Sequence, residues 1–428
     1  MLLGAIADDL TGATDLSLTL SREGMKTIQA IGAPGPELDF GDADAVVVAL
    51  KSRTIPADDA VGMSVIAARA LVATGAEQLV FKYCSTFDST DKGNIGPVAE
   101  ALMDLTGADF TVACPAFPAN ARSVFKGHLF VGDALLSESA MRNHPLTPMR
   151  DANLVRVLQR QTKRKIGLID LHSVEAGVDG VLHAFERAWR NGERIVIVDA
   201  VRDEHLRTIG EACSSMKLVT GGSGIAMGLP ANFRKAGKLG PRASSDRLLA
   251  PRGKAATLVG SCSAATRGQI ATAVAAGAHA LHISALDIAA GATSADLVAD
   301  WIEDNGGAIA PIVYSSAEPA AVADVQAKLG RDKASALIEG MLASIGKRLK
   351  QRGFTRLLVA GGETSGAVVA ALGVGALRIG PEIDPGVPWT LSLGDRPLAL
   401  ALKSGNFGAP DFFVKAWSLL QEGEAHDQ

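Results

Sequence analysis

Several signatures of common protein classes are missing from this chain of 428 residues. Aromatic residues make up only 4%, and the formal net charge is −4 with acidic and basic residues mixed along the chain. Because no basic stripe interrupts this mixture, a nucleic-acid partner is not expected. The four cysteines (Cys84, Cys114, Cys213 and Cys262) form no C-x-x-C pair, which favours free thiols in a reducing cytoplasm.

Long apolar runs are also missing. The apolar segment Leu2–Ala7 has no basic region before it and is followed by two aspartates, so it is not expected to be a signal peptide. The least charged stretch, Gln269–Ile283, reads as a helix followed by a strand and contains His279 and His282. We therefore predict no membrane span and no membrane partner.

The common nucleotide and metal motifs are absent as well. The nearest approach to a Walker sequence, Gly340 to Arg348, has the wrong spacing and lies inside a helical pattern, which disfavours a P-loop fold. No H-E-x-x-H pattern occurs, and His279 and His282 at the edge of a strand are more typical of packing or capping than of ligation. A G-x-G-x-x-G turn after the first strand is missing, so an NAD-dependent dehydrogenase is the least favoured reading.

Short apolar runs instead alternate with helical patterns along the whole chain. This rhythm predicts an α/β protein with two doubly wound, mainly parallel sheets. The glycine-, proline- and arginine-rich stretch 231–254 breaks the rhythm and predicts a linker between an N-terminal domain (1–230) and a C-terminal domain (255–428). The predicted strands are Leu2–Ala7, Ala45–Leu50, Leu79–Tyr83, Phe110–Cys114, Ile166–Ile169, Ile195–Val198, Ala256–Val259, Ala280–Ile283, Pro311–Tyr314, Leu357–Ala360, Leu377–Ile379 and Leu398–Leu402.

The most informative motif begins where the first predicted strand ends. Asp8 and Asp9 follow the strand directly, ahead of a turn and an amphipathic run that predicts a helix. Open α/β sheets bind their ligands at the carboxyl ends of strands, and two adjacent carboxylates are costly unless a cation or proton lies between them. The pair therefore predicts a site for a hydroxyl, a metal or a cation. The alternative is that Asp9 or Thr11 only caps the helix.

Other strands of the first half end in polar or rigid turns that belong to the same predicted edge. Arg53 can bind a carboxylate through two parallel hydrogen bonds, and Lys82 can supply a second positive charge. Asp88 and Ser89 lie in a hydroxyl-rich stretch, Ser85–Thr90, that can bind substrate hydroxyls. Together with the aspartate pair, these residues predict a site for a small hydroxylated acid.

Three turns of the second half combine a strand end with glycine or hydroxyl residues. They contain Ser261, the run Gly361-Gly362-Glu363-Thr364, and Gly405. Glycine allows the backbone to approach a bulky ligand closely, and the N-terminus of the helix that follows binds phosphate well. The three turns can converge on one nucleotide.

With these motifs in place, the chain resembles the four-carbon acid sugar kinases over nearly its whole length. The matching motifs are Ala7-Asp8-Asp9-Leu10-Thr11-Gly12-Ala13-x-Asp15, Ser52-Arg53, Lys82 with Asp88-Ser89-Thr90, Cys114-Pro115-Ala116-Phe117-Pro118 and Gly361-Gly362-Glu363-Thr364. Three stretches look like the 3-oxo-tetronate kinase branch, namely 82–90, 380–389 and 402–408. The threonate and erythronate kinase branches typically carry aspartate where this chain has Glu363.

The resemblance implies an acid-sugar-binding N-terminal domain and an ATP-binding C-terminal domain, with an active-site cleft between them that closes to exclude water. The implied reaction is transfer of phosphate from ATP, with Mg²⁺, to the 4-hydroxyl of a 3-oxo-tetronate. Asp8 or Asp9 is the expected base, and Arg53 and Lys82 are the expected carboxylate contacts. Nucleotide contacts are expected at Ser261, Gly361, Gly362, Glu363, Thr364 and Gly405. The family's Arg-Gly after Asp-Ser-Thr is replaced here by Asp91-Lys92-Gly93, and lysine lacks the planar fork of arginine.

Two alternatives stay open at this point. A kinase of threonate or erythronate would use the same motifs. A non-catalytic sugar-acid-binding protein would explain the turns of the first half but leave the glycine turns of the second half without a role. A homo-oligomer is compatible with the sequence, which fixes neither the oligomeric state nor the stereochemistry of the substrate.

Overall fold

A computed structural model of the protein describes residues 1–35, 38–144, 147–241, 248–316, 324–325 and 327–420. The chain divides into two compact units, Met1–Ser244 and Ser245–Gln428. The predicted α/β architecture of two domains with mainly parallel sheets is confirmed. Within the described ranges, no helix has the length and apolar character needed to cross a bilayer.

The first unit is built on a parallel sheet with the strand order β2-β3-β1-β4-β11-β5-β10-β9, and β6-β7-β8 form a separate small antiparallel sheet. The strands are β1 (Leu3–Ala7), β2 (Thr27–Ile31), β3 (Ala45–Ala49), β4 (Gln78–Lys82), β5 (Thr111–Cys114), β6 (Arg122–Phe125), β7 (His128–Val131), β8 (Ala134–Leu135), β9 (Lys165–Ile169), β10 (Glu193–Val198) and β11 (Leu218–Gly221). The helices are α1 (Leu10–Arg22), α2 (Ala57–Ala73), α3 (Ile95–Thr106), α4 (Leu154–Gln159), α5 (Leu171–Glu175), α6 (Gly177–Arg190), α7 (Asp203–Ala212) and α8 (Leu229–Lys235).

The second unit has parallel strands in the order β13-β14-β12-β15-β18, followed by the antiparallel strands β17 and β16. The strands are β12 (Lys254–Val259), β13 (Ala280–His282), β14 (Ile312–Tyr314), β15 (Phe354–Ala360), β16 (Ala376–Asp384), β17 (Val387–Ser392) and β18 (Ala399–Lys403). The helices are α9 (Ala264–Ala275), α10 (Ala285–Ala289), α11 (Ala295–Asp304), α12 (Arg331–Gln351), α13 (Gly362–Ala371) and α14 (Phe412–Ser418).

Continuous aliphatic runs form the central strands because helices cover both faces of a parallel sheet of this kind. Every residue of β1 and of β3 is buried. In the second unit, a cluster of buried side chains includes Leu358, Ala401, Trp389 and Phe412. The indole of Trp389 is buried and donates its N–H to the carbonyl of Ala416 at 2.8 Å.

Several strands differ from the sequence-based prediction. Six strands were not predicted, namely β2, β6, β7, β8, β11 and β17, and β16 is longer than the segment 377–379. β2 contains the buried polar residue Gln29, which accepts a hydrogen bond from Thr14 Oγ1 at 3.0 Å and so interrupts the apolar pattern. β16 and β17 form a hairpin around Gly386, whose φ of 83° suits glycine.

The structure only partly describes the predicted linker at 231–254. Helix α8 extends through its first residues to Lys235, and β12 begins at Lys254. Residues 242–247 lie outside the described residues. The boundaries of the predicted linker therefore stay a prediction.

Candidate active site

The aspartate pair of the first unit lies between two cation-bearing strands. In the sheet, β1 has β3 on one side and β4 on the other, and Asp8 and Asp9 follow β1 directly. The N–H of Asp8 donates to the carbonyl of Lys82 at 3.0 Å, and the N–H groups of Ser52 and Arg53 donate to the carbonyl of Asp8 at 3.0 and 3.2 Å. The strand order thus brings Arg53 and Lys82 to Asp8 from opposite sides.

Arg53 holds the carboxylates together. Its Nε donates to Asp8 Oδ2 at 2.9 Å and its Nη2 donates to Asp8 Oδ1 at 2.7 Å. The same Nη2 lies 2.9 Å from Asp9 Oδ1, and Nη1 lies 3.9 Å from Asp88 Oδ2. The structure therefore brings together four of the predicted site residues: Asp8, Asp9, Arg53 and Asp88.

The two carboxylates of the pair differ in their free hydrogen-bonding capacity. Both oxygens of Asp8 are bound by Arg53, and its side chain is 9% exposed. Asp9 is the N-cap of α1, where Oδ1 accepts from the N–H of Gly12 at 2.7 Å. Its other oxygen, Oδ2, has no partner among the described residues, and the side chain is 31% exposed. Asp9 therefore combines the capping role with one available acceptor oxygen.

Burial and pairing shape the protonation of this cluster. Burial raises the pKa of Asp8, and the Arg53 guanidinium opposes that rise. For Arg53, burial opposes the charge, but Asp8 outweighs it through attraction and hydrogen bonds, so the pKa of Arg53 is raised. Burial likewise raises the pKa of Asp15 on α1, and Lys82 opposes the rise.

Lys82 is 3% exposed, and its ammonium donates to the carbonyl of Tyr83 at 2.9 Å. A Cβ added at Gly12 would lie 2.4 Å from Asp9 Oδ1 and 2.8 Å from Lys82 Nζ. Both charged groups therefore face the same point, and glycine leaves the room that they need. No ion pair of Lys82 occurs in the described part of the chain, so its ammonium retains hydrogens for a ligand.

Asp88 and Ser89 lie in a strained turn. Phe87 and Asp88 have φ values of 65° and 28°, which non-glycine residues rarely adopt. The Thr86 hydroxyl donates to Asp88 Oδ1 at 2.6 Å, and Gln161 Nε2 donates to Ser89 Oγ at 3.0 Å. These contacts fix the turn beside Arg53.

Two residues that support the site were not predicted from the sequence. Gln161 contacts the Asp88–Thr90 turn, and its Oε1 accepts from the N–H of Gly96 at 3.0 Å. Asn94 Nδ2 donates to the carbonyls of Ser52 and Ile55 at 2.6 and 3.1 Å and so fixes the loop that carries Arg53. Both side-chain amides bond to groups that are tens of residues away in the sequence. No local sequence pattern therefore reveals them.

Ser89 also borders a cavity of about 690 Å³. Lys92 and Arg150 line this cavity, and neither forms an ion pair among the described residues. Two further arginines there are paired, Arg156 with Asp151 at 2.7 Å and Arg160 with Asp91 at 3.3 Å. Lys92, which replaces the arginine of the family pattern, thus lies in a pocket with excess positive charge.

The three glycine turns of the second unit converge, as predicted. They follow β12, β15 and β18, which are neighbours in the sheet. The N–H of Gly260 donates to the carbonyl of Ala360 at 2.9 Å, and the N–H of Gly361 donates to the carbonyl of Lys403 at 2.8 Å. One cavity of about 460 Å³ is lined by all the predicted nucleotide contacts: Ser261, Gly361, Gly362, Glu363, Thr364 and Gly405.

Helix α13 begins inside this cavity. Its N-cap residue, Gly361, has φ of 126° and supplies no side-chain cap. The first N–H groups of the helix, at Gly362, Glu363 and Thr364, have no acceptor among the described residues. Unpaired N–H groups and the positive end of the helix dipole favour a phosphate group.

Comparison with known proteins also assigns different ligands to the two units. Residues 3–229 match the model of a sugar-binding N-terminal domain, and residues 256–413 match that of a nucleotide-binding C-terminal domain. A 3-oxo-tetronate kinase of Cupriavidus necator is 55% identical, over 97% of this chain and 96% of its own. A 3-oxo-tetronate kinase of Pseudomonas savastanoi is 54% identical over the same shares. The chain belongs to the four-carbon acid sugar kinase family.

Two solved structures are similar to this member of the acid sugar kinase family over nearly the full chain. A Haemophilus influenzae protein is 42% identical with a TM-score of 0.86, covering 97% of this chain and 99% of its own. A Salmonella typhimurium protein is 39% identical with a TM-score of 0.90, covering 98% and 99%. The first unit therefore carries the family's sugar-binding domain, and the second unit carries its nucleotide-binding domain.

Proposed function

We propose that this protein is an ATP-dependent kinase that phosphorylates the 4-hydroxyl of a 3-oxo-tetronate and releases 3-oxo-tetronate 4-phosphate and ADP. Several relatives that carry the name 3-oxo-tetronate kinase, at 43–55% identity over nearly the full chain, support the substrate. The observation that carries the chemistry is Asp9. It presents one unpaired carboxylate oxygen beside two cations in a sugar-binding domain.

Asp9 is the base in this proposal, and Asp8 positions Arg53. The hydroxyl oxygen attacks the γ-phosphorus of ATP, the bond from that phosphorus to the β,γ-bridging oxygen breaks, and the hydroxyl proton passes to Asp9 Oδ2. A positioned base of this kind contributes about 10²- to 10⁴-fold. Asp8 suits the supporting role because both of its oxygens are already bound by Arg53.

The carboxylate of the substrate has two candidate contacts. Lys82 and the Nη1 edge of Arg53 lie inside the aspartate cluster, where three carboxylates outnumber two cations. Lys92 and Arg150 line the cavity that Ser89 borders, where positive charge is in excess. Because an anion avoids a net negative cluster, we favour binding of the carboxylate toward Lys92, with Lys82 and Asp88 contacting hydroxyl or keto oxygens.

Mg²⁺ accompanies ATP in this proposal and neutralises charge on the phosphates. No group of three or more His, Cys, Asp or Glu side chains in the described ranges is arranged to hold a metal ion. This fits Mg²⁺ in phosphoryl-transfer enzymes, which is held largely by substrate phosphates and water with one or two carboxylates. Glu363 is the carboxylate that lines the cavity of the second unit, and Asp9 is the one with an available oxygen in the first unit. We also propose a cytoplasmic location, in keeping with four free cysteines.

A coupled ADP-release assay over a panel of substrates tests the function. The panel contains D- and L-series 3-oxo-tetronates, threonate and erythronate, and phosphorus NMR of the product locates the new phosphate. We expect turnover of a 3-oxo-tetronate with phosphate on the 4-oxygen. Preferred turnover of threonate or erythronate would show that the substrate is not a 3-oxo-tetronate. Tight binding of the sugar acid without ADP release would favour the non-catalytic alternative.

A further inference from the structure

Lys403 is a buried cation with no charged partner. It ends β18, its side chain is fully buried, and no carboxylate in the described part of the chain pairs with it. A buried ammonium must find hydrogen-bond acceptors. Its Nζ has four within reach: Thr266 Oγ1 at 3.2 Å and the carbonyls of Ser404 at 3.1 Å, Gly405 at 2.9 Å and Phe407 at 3.1 Å.

These contacts orient two peptide groups. The carbonyls of Ser404 and Gly405 both point toward the ammonium. The described backbone has no cis peptide bond, and in a trans peptide the N–H points opposite to the C=O. The N–H groups of Gly405 and Asn406 therefore point away from Lys403. Neither finds an acceptor among the described residues.

The turn that follows Lys403 borders the nucleotide cavity. Gly405 lines the cavity of about 460 Å³, whereas Lys403 does not reach it. The carbonyl of Gly405 also accepts from Ser263 Oγ at 2.7 Å and from Thr266 Oγ1 at 2.8 Å. Three donors thus hold one carbonyl on the inner side and leave the opposite N–H groups for a ligand.

We propose that Lys403 is a positioning residue of the nucleotide site, which holds the turn 404–406 so that the N–H groups of Gly405 and Asn406 donate to a phosphate of the bound nucleotide. Lys403 itself does not contact the nucleotide. Backbone N–H groups are the usual cradle of nucleotide phosphates. The inference rests on nucleotide binding by the second unit and not on the identity of the sugar acid.

The test compares a ligand that has phosphates with one that lacks them. Lys403→Met keeps the length of the side chain and removes the ammonium. In full-length protein without sugar acid, calorimetry should show ADP affinity reduced by about tenfold, the loss expected for one hydrogen bond to a charged group. Adenosine affinity should be unchanged, because adenosine makes no phosphate contact.

A matched control is Lys350→Met. Lys350 also donates to a backbone carbonyl, that of Leu372 at 2.6 Å, and it does not line the cavity. This variant should leave both affinities at the wild-type value. Unchanged ADP affinity in folded Lys403→Met, or equal losses for ADP and adenosine, would overturn the proposal. Absence of ADP binding by the wild type would overturn it too, whatever the sugar-acid assay shows.

Thr266→Val serves as a second variant if Lys403→Met does not fold. It removes the hydroxyl that accepts from Lys403 and donates to Gly405, and it keeps the charge and nearly the shape. A smaller loss of ADP affinity, without loss of adenosine affinity, is expected. An unchanged ADP affinity in this variant would contradict the role of the network.

Discussion

Arg53 binds both carboxylate oxygens of Asp8, through Nε at 2.9 Å and Nη2 at 2.7 Å. This bidentate pair is mostly buried. It uses the Nε–Nη2 edge of the guanidinium, the edge that the sequence analysis expected to bind the substrate carboxylate. Arginine is suited to such planar pairing, and its charge persists at any pH of interest. The pair therefore organises the site, and only the Nη1 edge of Arg53 is left for a ligand.

The two aspartates should respond differently to the same substitution. Asp9→Asn retains a good N-cap for α1 but removes the proton acceptor, so kcat should fall by about 10²- to 10⁴-fold with little change in the melting temperature. Asp8→Asn breaks a buried ion pair and should lower the unfolding free energy by about 3–5 kcal/mol. Steady-state kinetics and thermal unfolding of both variants check this. Near wild-type kcat in folded Asp9→Asn would exclude Asp9 as the base.

Arg53→Ala should weaken both the fold and the binding of the sugar acid. It leaves Asp8 buried without a partner, and it removes the Nη1 edge as a charge-assisted contact to a hydroxyl or keto oxygen of the substrate. Loss of such a contact, of about 1.5–3 kcal/mol, should raise the KM for the acid roughly ten- to hundredfold. Arg53→Lys should recover only part of the loss because lysine cannot pair through two parallel bonds. The KM for ATP should not change. An equal rise in both KM values would remove Arg53 from the sugar-acid site.

Lys82 and Lys92 distinguish the two orientations of the substrate. If the carboxylate lies toward Lys92, Lys92→Met should raise the KM for the acid about tenfold or more, and the corresponding neutral amide, which keeps the 4-hydroxyl, should show no such rise. Lys82→Met should then lower kcat, while the ratio of the KM values for the acid and its neutral analogue stays near that of the wild type. The reverse pattern, with charge preference lost in Lys82→Met alone, would place the carboxylate in the aspartate cluster.

Adjacent glycines of the second unit form a further matched pair. Gly361 has φ of 126°, and a Cβ there would lie 3.0 Å from Thr364 Oγ1, so Gly361→Ala should destabilise the turn itself. A Cβ at Gly362 meets no atom within 4 Å, and Gly362 borders the cavity. Gly362→Val should therefore fold normally and lose nucleotide affinity while sugar-acid binding persists. Calorimetry that shows wild-type ATP affinity in Gly362→Val would reduce the run 361–364 to an ordinary helix start.

Local sequence patterns predicted the parts of the site that follow strand ends. Asp8, Arg53 and Lys82 could be placed at one edge because parallel strands end together, and the glycine turns around Gly361 could be placed in the same way. Their pairing could not be predicted. That Arg53 binds Asp8 rather than being left free depends on β1 lying between β3 and β4, which is a property of strand order.

Residues that act over long sequence separations were missed for the same reason. Asn94 and Gln161 fix active-site loops from 39 to 72 positions away, and no spacing rule points to them. Lys403 stands in the segment 402–408 that resembles the 3-oxo-tetronate kinase branch, but the glycine pattern there indicated Gly405 and not Lys403. Its position could have indicated a role, because a lysine at the end of a buried strand is unusual. Lys82, which was predicted as a site residue, occupies the same kind of position in the first unit.

The charge of Lys403 should leave a trace in the pH dependence of stability. Burial lowers the pKa of Lys403 to about 8, and its contacts are a hydroxyl, three carbonyls and the ring of Phe412, none of which titrates. Between this value and the ordinary pKa of 10.5, the unfolded chain binds more protons than the folded one. Folding is therefore favoured as the pH rises through this window.

The wild type should accordingly gain stability relative to Lys403→Met between pH 8 and pH 10.5, by up to about 3 kcal/mol. The variant provides the reference because every other titrating group is common to both proteins. Urea unfolding of both proteins at pH 7.5 and pH 10 measures the difference. A difference that stays constant or shrinks toward pH 10 would mean that the four acceptors keep the pKa of Lys403 near that of a free lysine.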